Sequence, residues 1–133
     1  MAYSALDRRL EERLLPAAIE RDIGIVVRSV LLRGALTHRA GLLPDELAPV
    51  RAAAEQLQAL AASAGMALPE MAYRYVLAHP AAHTALVGTV RRDELEQCLR
   101  FAEAGHLPGD LVERISGIAV ANEELLNPVN WPQ

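Results

Sequence analysis

Ile23-Gly24-Ile25-Val26-Val27-Arg28-Ser29-Val30-Leu31-Leu32-Arg33-Gly34-Ala35-Leu36-Thr37 is the stretch that decides how this sequence folds. A short β-branched run, residues 23–27, ends in the polar pair Arg28-Ser29 and then in a glycine. β-Branched residues fit a pleated surface. An unbroken apolar run is how a strand reads when helices cover both faces of a parallel sheet. Polar residues at the carboxyl end of such a strand are delivered to a site. Downstream, Thr84-Ala85-Leu86-Val87-Gly88-Thr89 repeats the logic and opens into Val90-Arg91-Arg92-Asp93-Glu94-Leu95. Two such strand ends, with helices around them, predict a slice of an α/β enzyme.

Helical periodicity fills the space between and around these runs. Leu10, Leu14, Ala17 and Ala18 share a face, predicting a helix over residues 10–21, with Asp7 as its cap and Pro16 as a kink. The clearest apolar stripe lies over residues 50–64: Val50, Ala53, Ala54, Leu57, Leu60, Ala61 and Ala64. Pro69 suits the first turn of a helix over residues 69–79, which Pro80 stops. Residues 84–87 read as the second strand. Leu95, Cys98, Leu99 and Ala102 form the stripe of a helix over 93–104, closed by Gly105. A last helix is expected over 110–119, before a loose tail. Residues 37–49 read as a loop with one helical turn at 45–47. Alternating strand and helix argues for a parallel sheet.

Composition narrows the function classes. At 133 residues the chain has the size of a single domain, and 52% apolar with 23% charged residues is an ordinary globular balance. A net charge of −4 provides no basic footprint for nucleic acid. No apolar run approaches the ~20 residues of a membrane helix. The single Cys98 rules out an internal disulfide and suits a reducing, cytoplasmic setting. All thirteen basic residues are arginine. The sequence therefore has no ammonium side chain for a Schiff base or for lowering a neighbour's pKa. His38, His79, His83 and His106 share no metal-ligand spacing.

Three motifs now combine. Tyr3-Ser4-Ala5-Leu6-Asp7-Arg8, Arg28-Ser29-Val30-Leu31-Leu32-Arg33-Gly34-Ala35-Leu36-Thr37 and Val87-Gly88-Thr89-Val90-Arg91-Arg92-Asp93-Glu94-Leu95-Glu96-Gln97-Cys98-Leu99 resemble, in this order and spacing, the sixth, seventh and eighth strand regions of aldo-keto reductases. These are (β/α)8 barrels that reduce carbonyls with NADPH. The resemblance implies a partial barrel: strands six to eight with their helices, one domain over residues 1–133. It implies a nicotinamide cofactor, NADP or NAD, weakly held or unheld by the isolated chain. Ser29 then faces the diphosphate region, Leu31 and Gly34 lie over the cofactor, and Gly88 and Thr89 open a helix whose N-terminus suits a phosphate. Arg91 is placed for a 2′-phosphate, and Gln97 for the adenine.

The resemblance has departures. Gln97-Cys98 stands where the family often has Glu-Asn, and Cys98 is a poor hydrogen-bonding substitute for asparagine. Glu94 stands where many members have a basic or amide residue; its carboxylate would repel a 2′-phosphate and accept from a free ribose hydroxyl. The family's catalytic Asp, Tyr, Lys and His come from strands that precede the Tyr3 motif, and a full barrel takes ~250 residues. The expected function is thus an oxidoreductase fragment, inactive alone. The alternative is an interaction module that self-associates or completes itself with a separately encoded N-terminal half, exposing edges that barrel closure would remove. A third reading, an α-helical partner-binding domain, requires that the two apolar runs do not pair as strands.

Overall fold

A computed structural model describes residues 1–132. Seven elements carry the fold: α1 (Leu14–Glu20), β1 (Ile25–Val27), α2 (Ala48–Ser63), α3 (Leu68–Ala78), β2 (Ala82–Ala85), α4 (Arg92–Glu103) and α5 (Gly109–Ser116). Single 3₁₀ turns lie at Leu32–Gly34, Ala40–Leu42, Asp45–Leu47, Glu123–Leu126 and Pro128–Asn130. The result is a helix-rich α/β fold with a small two-stranded sheet.

The two apolar runs do pair, in parallel, which overturns the all-helical reading. Their register slips once. Ile25 pairs with Ala82 but Val26 with Thr84, so His83 is the extra residue, and its Nδ1 lies 3.2 Å from the Ile25 amide that would otherwise lose its partner. This bulge starts β2 two residues before the expected 84–87. Pairing continues past it, with the Leu86 amide donating to the Val27 carbonyl at 2.8 Å. The Tyr3 motif adds a single parallel bridge, Ala2 with Arg28, rather than a third strand.

β1 is not covered on both faces. Ile25 and Val27 are buried, but Val26 is 46% exposed, and Ile23 is exposed outside the strand. Alternation is the rule for a strand with one wet face, and helices cover only the other. The main core is formed by α2 and α3: Val50, Ala53, Ala54, Leu57, Leu60 and Ala61 on the first, Met71, Ala72, Tyr75 and Val76 on the second. Both helices begin at an early proline, where the missing N–H costs no intrahelical bond.

Two helices depart from expectation. Asp7 does not cap a helix at residue 8; its carboxylate accepts instead from Arg9 Nε and Nη2, at 2.8 and 2.9 Å. Residues 8–13 are turns, and α1 starts at Leu14. In α4 the stripe does not enter the core. Leu95 and Leu99 are exposed, and Cys98 and Phe101 make half-buried contact instead, with Phe101 6.3 Å from the Tyr73 ring. Cys98 and Phe101 define α4's packing side, turned by part of a helical step from the expected one. Among the described residues no helix is long and apolar enough to cross a membrane.

Candidate functional site

β1 ends at Val27, and the chain turns immediately. Ser29 has a positive φ of 63°, and Leu32, Arg33 and Gly34 follow at 44°, 53° and 92°. Left-handed backbone at non-glycine residues is costly and collects where a local shape matters. Gly34 is the one position in this run where the conformation is cheap. The Thr37 hydroxyl donates to the Gly34 carbonyl at 2.7 Å and accepts from the Arg39 amide at 3.1 Å, which fixes the turn.

This turn forms one wall of a cleft of about 410 Å³. The residues after β2, Leu86, Val87, Gly88 and Thr89, form the facing wall, and α4 contributes Glu94, Gln97, Cys98 and Phe101. The cleft therefore opens where the carboxyl ends of two parallel strands converge. Ser29, Leu31, Gly34, Gly88, Thr89 and Gln97 all line it. Arg91 does not; it lines an open hollow next to the cleft, shared with Gly88, Thr89, Val90 and Glu94. Arg33, Thr37, His38, Arg39 and Tyr73 also line the cleft, although none was assigned to the cofactor from sequence. Only the arginines had a legible signal, as cations in the loop after a strand end.

The rim at α4 is closely wired. The Thr89 hydroxyl donates to a Glu94 carboxylate oxygen and accepts from the Arg91 amide at 3.0 Å. Arg91 donates twice to Asp93, at 3.2 and 2.6 Å, and its Nε lies 3.6 Å from the other Glu94 oxygen. That hydrogen bond pulls the Asp93 carboxyl below the usual carboxylate range and raises the Arg91 guanidinium. No side chain caps the first turn of α4. At the floor, burial pushes the Tyr73 hydroxyl up, with the adjacent Cys98 thiol adding to the shift. On the strand side, Ser29 Oγ accepts from Arg28 at 3.1 Å.

A second polar cluster lies away from the cleft. Tyr3 and Tyr75 both donate to Glu11 Oε1, at 2.5 and 3.0 Å, and the His79 ring stands edge-on to Tyr3. Burial, then the hydrogen bond to Glu11, raises the Tyr3 hydroxyl, and the residue itself is buried in the core.

Comparison with known proteins agrees with this geometry. Aldo-keto reductase AKR11C1 from Bacillus halodurans superimposes with a TM-score of 0.77 and 29% identity over 92% of this chain, in its apo form and in its holo form. The chain spans 43% of the apo structure's length and 42% of the holo structure's. No curated protein matches the chain. The model of the Aldo/keto reductase family matches residues 1–120, nine-tenths of the sequence, and the chain belongs to that family.

Proposed function

We propose that the chain is the cofactor-binding side of an aldo-keto reductase barrel, strands six to eight with their helices, folded as one domain. The whole enzyme would reduce aldehydes or ketones with a nicotinamide dinucleotide, NADP or NAD, which supplies the hydride. One observation carries this reading: Ser29, Leu31, Gly34, Gly88, Thr89 and Gln97 converge on one cleft at the carboxyl ends of two parallel strands. Barrel enzymes place their sites at that end.

The donor set suits such a ligand. Ser29 and Gln97 offer neutral hydrogen bonds, and Arg33 and Arg39 bring positive charge to the wall after β1. The first turn of α4 adds N–H groups and the positive end of a dipole. Tyr73 and Phe101 provide an apolar floor. Gly34 takes its φ of 92° without the strain that a side chain would add at that position.

Alone, the 133-residue chain holds a dinucleotide weakly or not at all and does not turn it over. It has no lysine, and the family's acid–base residues belong to other strands. Purified chain mixed with NADPH or NADH and a simple aldehyde is expected to leave the nucleotide absorbance at its no-protein rate. Faster loss of absorbance would overturn this reading.

A second reading has its own support. β2 pairs only with β1 among the described residues, and Val26 and Leu86 are exposed beside it. These features suit a non-catalytic module that self-associates or pairs with a separately encoded N-terminal half.

A further inference from the structure

The geometry points to His83 as a pH-sensitive fastener of the sheet: its unprotonated ring nitrogen closes the bulge between β1 and β2, and protonation opens it. This holds whatever the cleft binds, and so stands apart from the cofactor reading. One ring atom lies against two backbone groups that need opposite things of it. His83 Nδ1 is 3.2 Å from the Ile25 amide, a donor, and 2.9 Å from the Ala81 carbonyl oxygen, an acceptor. A ring nitrogen carries either a lone pair or a proton. With the proton on Nε2, Nδ1 accepts from Ile25. With Nδ1 protonated, as it must be in the imidazolium, it donates to Ala81, and its N–H then opposes the N–H of Ile25.

Ile25 is buried, and a buried amide without a partner is costly. The pair Ile25–Ala82 is therefore conditional on the ring, whereas the Leu86 amide keeps its bond to the Val27 carbonyl at 2.8 Å. β1 and β2 share three residue pairs, and β2 carries residues 86–89 to the cleft, so losing one pair shortens the support of that wall. His83 is exposed, so water delivers the proton directly. Imidazole is the side chain that changes charge between about pH 5 and 8. The other charged and titratable groups on the elements packed against β2 are engaged elsewhere. On α3, Glu70 pairs with Arg74, Tyr73 lies against Phe101 and Tyr75 donates to Glu11. His79, just past α3, accepts from the Ala81 amide. Along β1, the Met1 ammonium donates to the Val26 carbonyl, and Arg28 donates to Ser29 Oγ. Arg21 and Asp22, on the exposed turn that leads to β1, influence where the ring titrates but supply neither of the two atoms it serves.

NMR of the isotope-labelled 133-residue chain between about pH 7.5 and 5.5 follows the ring and the amide together. At the upper pH the His83 ring should show Nδ1 bare and Nε2 protonated, and the Ile25 amide signal should move with the same midpoint as the ring. Exchange of the Ile25 amide, corrected for the intrinsic effect of pH, should quicken by about fivefold as the ring protonates, the scale of one hydrogen bond. Exchange at Leu86 should change less. His83→Asn puts an oxygen near the place of Nδ1 and removes the titration, so the Ile25 signal should stop responding to pH. Three results would each overturn the inference: Nδ1 already protonated at the upper pH, an Ile25 amide that does not follow the ring, or an unchanged pH response in folded His83→Asn chain. The ring and amide signals of the unaltered chain decide the matter even if the variant does not fold.

Discussion

At the scale of single residues, the strongest long-range tie is Arg8. Its guanidinium donates to the Ser116 and Ile118 carbonyls at 3.0 and 2.8 Å and to the Ala5 carbonyl, joining the amino-terminal turns to the end of α5. Carbonyls at a helix end have no intrahelical partner, so this one side chain satisfies groups that would otherwise stand orphaned. Arg8→Ala should cost about 1–3 kcal/mol, read as a lower urea midpoint at unchanged slope; an unchanged midpoint would show that water replaces the clamp. The tyrosines make a second prediction. Burial is the largest cause that raises Tyr3, Tyr73 and Tyr75 above the ordinary value of 10.0. For a raised pKa, stability is complete below the unfolded value and falls as pH rises through the folded one. The chain should hold its stability up to about pH 10 and lose it steeply above. Tyr73→Phe, which removes one of the three ionisations, should flatten that alkaline fall in circular-dichroism unfolding; an identical fall would mean Tyr73 titrates freely.

At the scale of elements, α2 and α4 are opposites. Both read as amphipathic helices, but Leu57 on α2 is fully buried, and Leu99 on α4 is 57% exposed. Leu57→Ala should cost about 2–5 kcal/mol, and Leu99→Ala no more than ~0.5 kcal/mol. Comparable losses in thermal unfolding would mean that α4 packs by its Leu95–Leu99 side after all. The same contrast shows what was legible. The α2 stripe was readable because long-range packing and local period agree there. In α4 the period was right and the face wrong, since Phe101 finds Tyr73 and the cleft claims Gln97 and Cys98. β2 was misplaced because the slip at His83 depends on a partner strand remote in sequence. That Ser29, Leu31, Gly34, Gly88, Thr89 and Gln97 would lie near one another was legible from motif order, which carries the strand-end geometry within it. Arg91 belonged to the same motif and still lies outside the cleft, because Asp93, two residues on, holds it. Tyr73 reaches the cleft only through tertiary packing, which no local pattern encodes.

At the scale of the molecule, the sheet is the place where the fold is open. Val27 is buried against helices, whereas Val26 and Leu86 are exposed and the outer edge of β2 carries no partner strand among the described residues. An unpaired strand edge presents a row of backbone donors and acceptors to any passing strand, and the apolar side chains beside it gain by being covered, at roughly 25 cal/mol per Å². In the related AKR11C1 structures the matched region accounts for 43% of one chain and 42% of the other, so more than half of each lies beyond what this chain provides. The 133-residue chain should therefore associate with itself as its concentration rises and bind an apolar dye when dilute. Val26→Arg places a charge on the exposed face without touching the core residues Ile25 and Val27. It should weaken the association in light scattering while leaving the thermal midpoint of the dilute chain nearly unchanged. A monodisperse monomer that binds no dye would show that the sheet face, open as it is, is stable against water by itself.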